Sequence, residues 1–389
     1  MKYLFWALAL VFASLSVRSQ SIGYPALGTE KTLEVMTWNI EWFPKNGQST
    51  LDYVTAIIND LDVDLIAFQE IGDTVAFKQM LINLEGYSGF FKSARFGGLV
   101  YVYKKNTIHI NQIYEIYTGS SFRSPFPRAP VVIDFNFRNQ NYIVINNHLK
   151  CCGDGFMNIS NPNDEETRRF IAVNLLKEYV DVNFPDKNVM IVGDLNDVIE
   201  DAYAHNVFRN ILDDKDNYLF ADLGIANGNS ANWAYPSWPS HLDHIIITNE
   251  LFDAFDNDTS EIRVVKIDEY LAGGWQEYDQ HVSDHRPVAI KLMPDQSLGV
   301  QDFDVAMHPF SNYPNPFSEE TSLSFPLLNV DAEVLIGNMF GQIVFKQQVN
   351  QGQTSLKWNP QRLPEGVYFA NLIVNGRIVA FSKLVFVAQ

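Results

Sequence analysis

The segment NVMIVGDLND, residues 188–197, joins an uninterrupted apolar run to a polar end, and it decides the fold class. Residues 189–192 are apolar without alternation, which is typical of a strand that is covered on both faces of its sheet. The carboxylate of Asp194 and the amide of Asn196 follow at once. A strand of this kind predicts a layered α/β protein whose polar residues collect where the strands end.

Further segments of the same kind lie on both sides of this strand. Their sequences are EVMTWNIEWF, DLIAFQEI, GGLVYVYKK, PVVIDFNF, NYIVINNHL, HLDHIIIT and HRPVAIKL. Helical periodicity predicts helices at Leu51–Asp60, Thr74–Leu84 and Glu165–Val180. Strands and helices that alternate in this way predict one α/β domain over residues 30–293.

Length, charge and cysteine content exclude several classes of protein. A chain of 389 residues is long enough for two domains. Its 47% hydrophobic and 19% charged residues exclude a disordered chain. The net charge of −18 argues against a long basic groove for nucleic acid, although bound cations can supply positive charge locally. The two cysteines are adjacent, which excludes a disulfide scaffold and a structural zinc site.

The N-terminus has the features of an export signal. A lysine at position 2 precedes an apolar run, and small residues then allow cleavage before Gln20. The apolar run is shorter than the ~20 residues that a membrane-spanning helix needs. We therefore predict a signal peptide at residues 1–19, a secreted protein and no membrane span.

The C-terminal part of the chain differs from the body in charge. Residues 310–389 hold five acidic and five basic side chains, so the body carries the negative charge of the whole chain. This break predicts a linker at residues 294–310 and a separate domain at 311–389. Six to seven short strands with turn signals, among them Asn375-Gly376, predict that this domain is a small all-β sandwich.

The motifs of this second domain appear in a characteristic order. YPNPF, GQIV, Trp358, LPEGVYFANL and SKLVFV resemble the C-terminal sorting domain of the type IX secretion system. The resemblance implies a protein that engages the type IX secretion machinery and is carried to the cell surface or beyond. A carbohydrate-binding or adhesive β-module is the alternative.

Polar residues follow the ends of most of the predicted strands of the body. They are Asn39, Glu70, His148, Asp194, Asn196, Asp243, Asp284 and His285. Each of them taken alone is more often a turn residue, a cap or a hydrogen-bonded structural residue. Their common position at strand ends favours a shared site, because loops at that edge vary while the sheet stays rigid.

The order of the motifs around these residues resembles a known superfamily. WN, FQE, NNHLK, GDLND, LDHIII and SDHRPV resemble the endonuclease/exonuclease/phosphatase superfamily, which includes deoxyribonuclease-I-like nucleases. The resemblance spans residues 33–292. It implies a four-layer sandwich of two mixed β-sheets flanked by helices. It also implies a metal-dependent hydrolase that acts on phosphoric ester bonds.

The resemblance implies metal ligands at Asn39, Glu70 and Asp284. Carboxylate and amide oxygens are hard ligands that suit Mg²⁺ or Mn²⁺, with Ca²⁺ as a further candidate. Such a cation would polarise a phosphoryl oxygen. Arg128, in PFPRAPVV, would approach a substrate phosphate, with a surface arginine as the alternative.

The catalytic residues implied by the resemblance are His148, Asp194, Asn196, Asp243 and His285. Asp194 would accept a proton from the attacking water, and Asn196 would hold that water or a phosphoryl oxygen. His285 would bind a phosphoryl oxygen with Asp243 as its partner, and His148 would donate a proton or bind phosphate.

Three neighbouring features complete the expected site. His241 and His244 flank Asp243 and are interpreted as structural or substrate-contacting. The segment FFKSAR offers no acid before the strand that contains LVYVYKK, where deoxyribonuclease-I-like enzymes place a carboxylate that orients the first histidine. This departure weakens the assignment of His148 as general acid.

The sequence leaves the substrate open among three classes. The leading hypothesis is a secreted nuclease that acts on DNA or RNA. The second is a sphingomyelinase-like or inositol-phosphate phosphodiesterase or phosphatase, and the third is a non-catalytic surface binding protein. The aromatic residues of NWAYPSWPSH would suit either membrane insertion or stacking on bases.

The adjacent cysteines Cys151 and Cys152 follow His148 closely. An exported chain meets an oxidising compartment, and neither thiol has another partner within the chain. The sequence therefore allows a vicinal disulfide. Two reduced thiols, or two thiols bound loosely to a metal, are the alternatives.

Overall fold

The structure is a computed structural model that describes residues 21–91, 98–294, 310–325, 331–360, 362–374 and 377–387. The chain divides into two compact units, residues 1–297 and 298–389. The predicted signal peptide, and all but the two end residues of the predicted linker, lie outside the described residues. Within those residues, no helix has both the length and the apolar character that crossing a bilayer requires.

The described strands of the first unit form two sheets. In chain order they are β1 (Leu33–Phe43), β2 (Leu65–Ile71), β3 (Tyr87–Phe90), β4 (Gly98–Lys104), β5 (His109–Glu115), β6 (Val131–Phe137), β7 (Gln140–His148), β8 (Asn188–Asp194), β9 (Tyr218–Phe220), β10 (Asp243–Thr248), β11 (Glu261–Val264) and β12 (Val288–Leu292). The first sheet has the order β11-β12-β1-β2-β4-β3, and the second has the order β5-β6-β7-β8-β10-β9. Both sheets are mixed, because β1 runs parallel to β2 and β7 runs parallel to β8, whereas the other neighbours are antiparallel.

The α-helices of the first unit are, in chain order, α1 (Gly47–Leu61), α2 (Thr74–Ile82), α3 (Glu165–Asn183), α4 (Arg209–Leu212), α5 (Leu223–Ala226), α6 (Phe252–Phe255) and α7 (Gly274–His281). The longer helices cover the outer faces of both sheets. Apolar residues of α1, α2 and α7 pack against the first sheet, and those of α3 pack against the second. This arrangement confirms the predicted four-layer sandwich of two mixed sheets flanked by helices.

The inner faces of the two sheets share one buried core. Val35 and Leu65 of the first sheet belong to it, together with Val144 and Val192 of the second. Side chains alternate between the two faces of a strand, so every second residue along these strands also points inward. The outward residues, such as Met36, join the layers of helices instead.

The predictions recovered the central strands and missed the strands at the sheet edges. β3, β5, β9 and β11 are the edge strands of the two sheets, and none of them was predicted. β5 has no buried residue, and β9 has only three residues. An edge strand is covered less completely, so its apolar pattern is weaker. The short helix α7 was missed as well.

The second unit is all-β, as predicted. Its described strands are β13 (Ser311–Tyr313), β14 (Thr321–Ser324), β15 (Ala332–Asn338), β16 (Ile343–Val349), β17 (Ser355–Trp358), β18 (Gly366–Val374) and β19 (Arg377–Phe386). They form a three-stranded sheet, β13-β14-β17, and a four-stranded sheet, β16-β15-β18-β19. Trp358 and Leu372 belong to a shared apolar core. The predicted turn at Asn375-Gly376 lies outside the described residues.

Candidate active site

The central strands end together at one edge of the inter-sheet core. His148 lies opposite Asp194 in the parallel pair β7–β8, and Asp243 lies opposite Asp194 in the antiparallel pair β10–β8. The regular pairing of β1 with β2 ends at Asn39, which lies opposite Gln69. Counting by twos from the inward apolar residues of these strands places Asn39, His148, Asp194 and Asp243 on the inner face. The four polar side chains therefore converge between the sheets.

Glu70 reaches the same place by a break in the strand pattern. Alternation from the inward residues Leu65 and Ala67 would place Glu70 on the outer face. Instead Glu70 has a left-handed backbone, with φ of 63°, and the pairing of β2 with β4 skips from Phe68 to Ile71. A bulge of this kind redirects a side chain. Glu70 Oε1 accepts a hydrogen bond from Asn39 Nδ2 at 3.4 Å, and Glu70 Oε2 accepts one from the Trp42 N–H at 3.1 Å.

Asp194 is the centre of the polar cluster. Its Oδ2 accepts a hydrogen bond from Asn39 Nδ2 at 2.9 Å and lies 3.5 Å from His148 Nε2. The same imidazole nitrogen lies 3.8 Å from Glu70 Oε1. Asn39, His148 and Asp194 are each 2% exposed. The cluster thus joins both sheets, because Asn39 and Glu70 belong to the first and His148 and Asp194 to the second.

His285 is paired with Asp243 in a buried contact. Its Nδ1 lies 2.7 Å from Asp243 Oδ2, while its Nε2 lies 3.9 Å from both Asp194 Oδ2 and Asp284 Oδ1. Burial alone would lower the pKa of His285, but the carboxylates of Asp243 and Asp194 outweigh it and raise the pKa to about 10. His285 is therefore an imidazolium at neutral pH. Its Nδ1–H donates to Asp243, and its Nε2–H faces the other carboxylates.

His148 has the opposite charge state. Burial lowers its pKa to about 4, and the charges of Arg128 and His285 act in the same direction against the attraction of Asp194. The imidazole is therefore neutral at neutral pH. Its Nδ1 is buried and has no hydrogen-bond partner among the described residues. This agrees with the sequence, because the segment FFKSAR before β4 contains no acidic residue.

Two carboxylates of the cluster are shifted towards protonation. Burial, followed by the charge of Asp194, raises the pKa of Glu70. Burial raises the pKa of Asp284 to about 6, and the charges of Glu41 and Glu70 add to this against the pull of His285. A divalent cation would stabilise the anionic forms of these two buried carboxylates.

The donor set of the cluster fits a hard divalent cation. Glu70 and Asp284 offer carboxylate oxygens at the open side of the cluster, where their side chains are 13% and 26% exposed. Asn39 presents Nδ2 to Glu70 and Asp194, while its Oδ1 accepts from the Glu41 N–H at 3.0 Å. Ligation by Asn39 would require its oxygen to face the carboxylates, and that role stays a prediction.

The remaining predicted residues lie around the same cluster. Asn196 adopts a left-handed backbone with φ of 55°, its N–H donates to Asp194 Oδ1 at 3.0 Å, and its Nδ2 donates to the Leu149 carbonyl at 3.3 Å. It therefore fixes the carboxylate of Asp194. Arg128 is half-buried, and its charge acts on both Glu70 and His148. The structure thus brings every predicted catalytic, metal and substrate-binding residue to one site.

The sequence of the first unit matches a family at this point. Residues 36–285 match the Endonuclease/Exonuclease/phosphatase family, and the match includes all of the residues above. The chain belongs to that family. Its members are hydrolases of phosphoric ester bonds, and the chain is an enzyme of this class. No curated protein matches this chain in sequence.

Three solved structures are similar to this chain. D. rerio TDP2 complexed with single strand DNA product is 12% identical, with a TM-score of 0.50 over 67% of this chain and 98% of that chain. The endonuclease/exonuclease/phosphatase from Bacteroides vulgatus is 14% identical, with a TM-score of 0.48 over 68% of this chain and 99% of that one. The human Nocturnin catalytic domain with bound sulfate anion is 14% identical, with a TM-score of 0.48 over 67% and 94%.

The second unit also matches a family. Residues 311–387 match the secretion system C-terminal sorting domain. This domain marks the endonuclease/exonuclease/phosphatase chain as a secreted or surface-attached protein and links it to type IX secretion.

Several residues that support the site were not predicted from the sequence. Ser283 Oγ donates to the Asn39 carbonyl at 2.7 Å and accepts from the His285 N–H at 3.0 Å. Tyr278 OH donates to the His285 carbonyl at 2.8 Å, and the ring of Tyr235 lies 4.8 Å from that of His285. Ser283 lies in SDHRPV, so the motif signalled it. The contact with Tyr278, in the missed helix α7, had no such signal.

A second buried cluster lies beside Asp243 and includes the histidines that flank it. Asp222 Oδ2 lies 2.9 Å from His241 Nε2 and 2.6 Å from His244 Nδ1, and all three residues are fully buried. Their atoms are close enough to hold a metal. Each is already satisfied without one, because the Ala234 N–H donates to His241 Nδ1 and His244 Nε2 donates to the Asp197 carbonyl. We therefore interpret His241 and His244 as structural.

The charges in this second cluster make it sensitive to pH. Despite burial, the two histidines hold the pKa of Asp222 far below its usual value, and Asp222 raises the pKa of His244. The stabilisation from Asp222 is present above the unfolded pKa of an aspartate and is lost as the pH falls through the lower folded value. The stabilisation from His244 is present below the unfolded pKa of a histidine and is lost as the pH rises through the higher folded value.

Asp222→Asn is expected to destabilise the first unit by about 3–5 kcal/mol, because it removes the buried anion that contacts both His241 Nε2 and His244 Nδ1. The midpoint of its thermal unfolding should fall by about 6–15 °C. Scanning calorimetry at neutral pH measures the shift. Asp216→Asn, at an exposed position, is the matched control and should unfold with the wild type. A shift of less than about 2 °C for Asp222→Asn would contradict the ionic interpretation.

Proposed function

We propose that the chain is a secreted, divalent-metal-dependent nuclease that hydrolyses phosphodiester bonds of DNA or RNA. The observation that carries this proposal is the position of the His285 imidazolium, with Nε2 3.9 Å from Asp194 and a buried Asp243 behind it. A cation and a carboxylate side by side can bind a phosphoryl oxygen and accept a proton from water within one site.

Each residue has a distinct task in the proposed reaction. Glu70 and Asp284, with Asn39, would hold Mg²⁺ or Mn²⁺, which supplies polarisation of a phosphoryl oxygen and stabilises charge on the leaving oxygen. Asp194 accepts the proton of the attacking water, and the Asn196 N–H fixes its orientation. The attacking water must lie in line with the leaving oxygen, so Asp194 and Asn196 should face the metal across the phosphate.

The two histidines bind phosphate in different charge states. His285 donates Nε2–H as an imidazolium, and Asp243 fixes its ring through Nδ1. His148 is neutral, so it donates a hydrogen bond to a phosphoryl oxygen and does not supply a proton. Arg128 adds a fixed positive charge near both Glu70 and His148.

Aromatic side chains near the site favour a nucleic acid as the substrate. Trp42 follows Asn39 closely, is 51% exposed and contacts Glu70 through its backbone. Tyr235, which packs on His285, pairs with Ser240 to form a hairpin whose loop holds Trp238, 79% exposed. Exposed rings beside a phosphate site can stack on bases.

A lipid phosphodiesterase is the second candidate. The exposure of Trp238 at a hairpin loop favours it, because a tryptophan there can also enter the interface of a bilayer. An inositol phosphate has no lipid chain, so the exposed Trp238 does not favour it as the substrate.

A parallel assay on four substrates tests the function. Supercoiled plasmid, single-stranded RNA, sphingomyelin vesicles and an inositol phosphate are each incubated with the mature chain in Mg²⁺ and in EDTA. Asp194→Asn, prepared identically, reports contaminating activity. We expect the wild type to hydrolyse nucleic acid in Mg²⁺ and not in EDTA. Hydrolysis of sphingomyelin without cleavage of either nucleic acid would support the lipid candidate and contradict the nuclease.

The second unit is expected to be dispensable for the chemistry and required for export. A chain that ends after Pro294 keeps β12 and the hydrogen bond from the Met293 N–H to Ser260 Oγ. Its kcat should stay within about twofold of the wild type, because no residue of the site is removed. In the native host it should remain within the cell envelope, as measured by immunoblots of medium and cell fractions. The full-length Asp194→Asn variant is the control, inactive but exported. Normal export of the shortened chain would contradict the sorting role.

A further inference from the structure

Cys151 and Cys152, adjacent in sequence, place their sulfur atoms together at the surface. Both are exposed free thiols, and their Sγ atoms lie 3.0 Å apart. Neighbouring side chains in an extended chain point to opposite sides. Here Cys152 has φ of 70°, a left-handed conformation that is uncommon outside glycine. That conformation turns both sulfur atoms to the same side.

A buried arginine holds this conformation. Arg169 of α3 is 3% exposed, and its Nη1 donates to the carbonyls of Lys150 and Cys152, at 2.7 Å each. Its Nε donates to Asp197 Oδ2 at 2.7 Å, and its Nη2 lies 3.3 Å from Glu166 Oε1. The backbone on both sides of Cys151 is therefore fixed by one guanidinium, which is itself fixed by two carboxylates.

The loop after the cysteines packs against Glu166, one of the two carboxylates that contact Arg169. Gly153 has φ of 117°, and a Cβ there would lie 2.1 Å from Glu166 Oε1, so only glycine fits. The Gly155 N–H donates to that same oxygen at 2.8 Å. Residues 150–155, held by Arg169 and Glu166, therefore form an ordered frame for the two thiols.

The frame is continuous with the strand ends of the active site. The Leu149 N–H donates to the Asp194 carbonyl at 3.0 Å, and the Leu149 carbonyl accepts from Asn196 Nδ2 at 3.3 Å. The thiols therefore lie three and four residues after His148 on a segment that also contacts the Asp194 loop.

We propose that Cys151 and Cys152 form a redox site that closes to a vicinal disulfide with a low-molecular-weight disulfide as oxidant. The Cys151 thiolate attacks one sulfur of the oxidant and releases one thiolate, which takes up a proton. The Cys152 sulfur then attacks Cys151 Sγ, loses its proton and displaces the second thiol. The oxidant gains two electrons and two protons, and the two cysteines lose them.

The local contacts assign the order of the two cysteines. Cys152 Sγ donates to Cys151 Sγ, which raises the pKa of the Cys152 thiol, so Cys152 retains its proton. Lys150 Nζ lies 3.8 Å from Cys151 Sγ, so the attacking sulfur of Cys151 has a cationic neighbour. Closure needs the sulfur atoms to approach by about 1 Å, to the S–S bond length of about 2.0 Å. The strained ring that results should be readily reduced.

Mass spectrometry after equilibration with oxidised glutathione tests the proposal. The EDTA-treated mature chain should become lighter by two hydrogens and lose both alkylatable thiols, and mild reduction should restore them. Cys152→Ser should instead retain one glutathionyl group, because no second thiol displaces it, and should gain it faster than Cys151→Ser does. Closure should be at least about tenfold faster than in concentrated guanidinium chloride, where the frame is absent. Two alkylatable thiols or two stable glutathionyl groups on the wild type would overturn the proposal, as would equal closure rates in both solvents. None of these readouts depends on hydrolytic activity.

Discussion

Asp194→Asn should lower kcat at least about 100-fold, the lower end of the contribution of a positioned acid or base. Asparagine has the size of aspartate, and its side-chain oxygen can still accept a hydrogen bond from Asn39 Nδ2 or the Asn196 N–H, as Asp194 does. It cannot take the proton of the attacking water. It also removes the anion that lies 3.5 Å from His148 and 3.9 Å from His285. Steady-state hydrolysis of the preferred substrate measures the loss.

The matched control for Asp194→Asn removes a carboxylate elsewhere on the first unit. Asp258 is exposed and distant in sequence from every residue of the site. Asp258→Asn should hydrolyse substrate at the wild-type rate. Circular dichroism and thermal unfolding of both variants should match the wild type closely. An Asp194→Asn enzyme that keeps more than a tenth of wild-type turnover would show that Asp194 is not the proton acceptor.

Glu70→Gln should abolish most activity by weakening the binding of the metal. The carboxylate is a hard ligand at the open side of the cluster, and burial already raises its pKa, so a cation would stabilise its charged form. Glutamine keeps the shape and one acceptor for the Trp42 N–H, so the bulge at β2 should persist. Isothermal titration with Mg²⁺ should show loss of binding at concentrations that saturate the wild type.

Glu85→Gln is the control for this second change. Glu85 is exposed and lies just before β3, at a position that no predicted role involves. It should bind Mg²⁺ and hydrolyse substrate as the wild type does. Wild-type rates of Glu70→Gln at saturating Mg²⁺ would rule out Glu70 as the ligand that holds the cation.

Much of the site follows from the sequence because its strands are covered on both faces. β7 and β8 contain the continuous apolar runs 142–145 and 189–192, and the two strands end at His148 and Asp194. Alternation from the apolar residues then gives the direction of each side chain. The residue types and their order, compared with the superfamily, supplied the proposed roles.

Other parts of the site depend on geometry that no local pattern displays. Glu70 violates the alternation of β2, and only the left-handed backbone at the bulge explains its inward direction. Ser283 binds the carbonyl of Asn39 across 244 residues of sequence. The charge states of His148 and His285 differ because of burial and neighbours. Periodicity contains none of this information.

The departure from the superfamily near β4 has a structural counterpart. The chain has no acid in the segment before that strand, and His148 Nδ1 has no partner among the described residues. A neutral His148 that binds phosphate is compatible with both observations. A general acid at this position would need a further carboxylate, beside Nδ1, to raise its pKa.

In the proposed enzyme, a metal held by Glu70 supports phosphodiester hydrolysis beside Asp194 and His285. Nicking of supercoiled plasmid by the metal-stripped mature chain tests it most directly, with Mg²⁺ added in steps to the wild type and to Glu70→Gln. We expect no nicking before Mg²⁺ is added, a rate that rises with Mg²⁺ and saturates for the wild type, and little or no nicking by Glu70→Gln. Equal nicking by both proteins, or nicking by the wild type in excess EDTA, would contradict it.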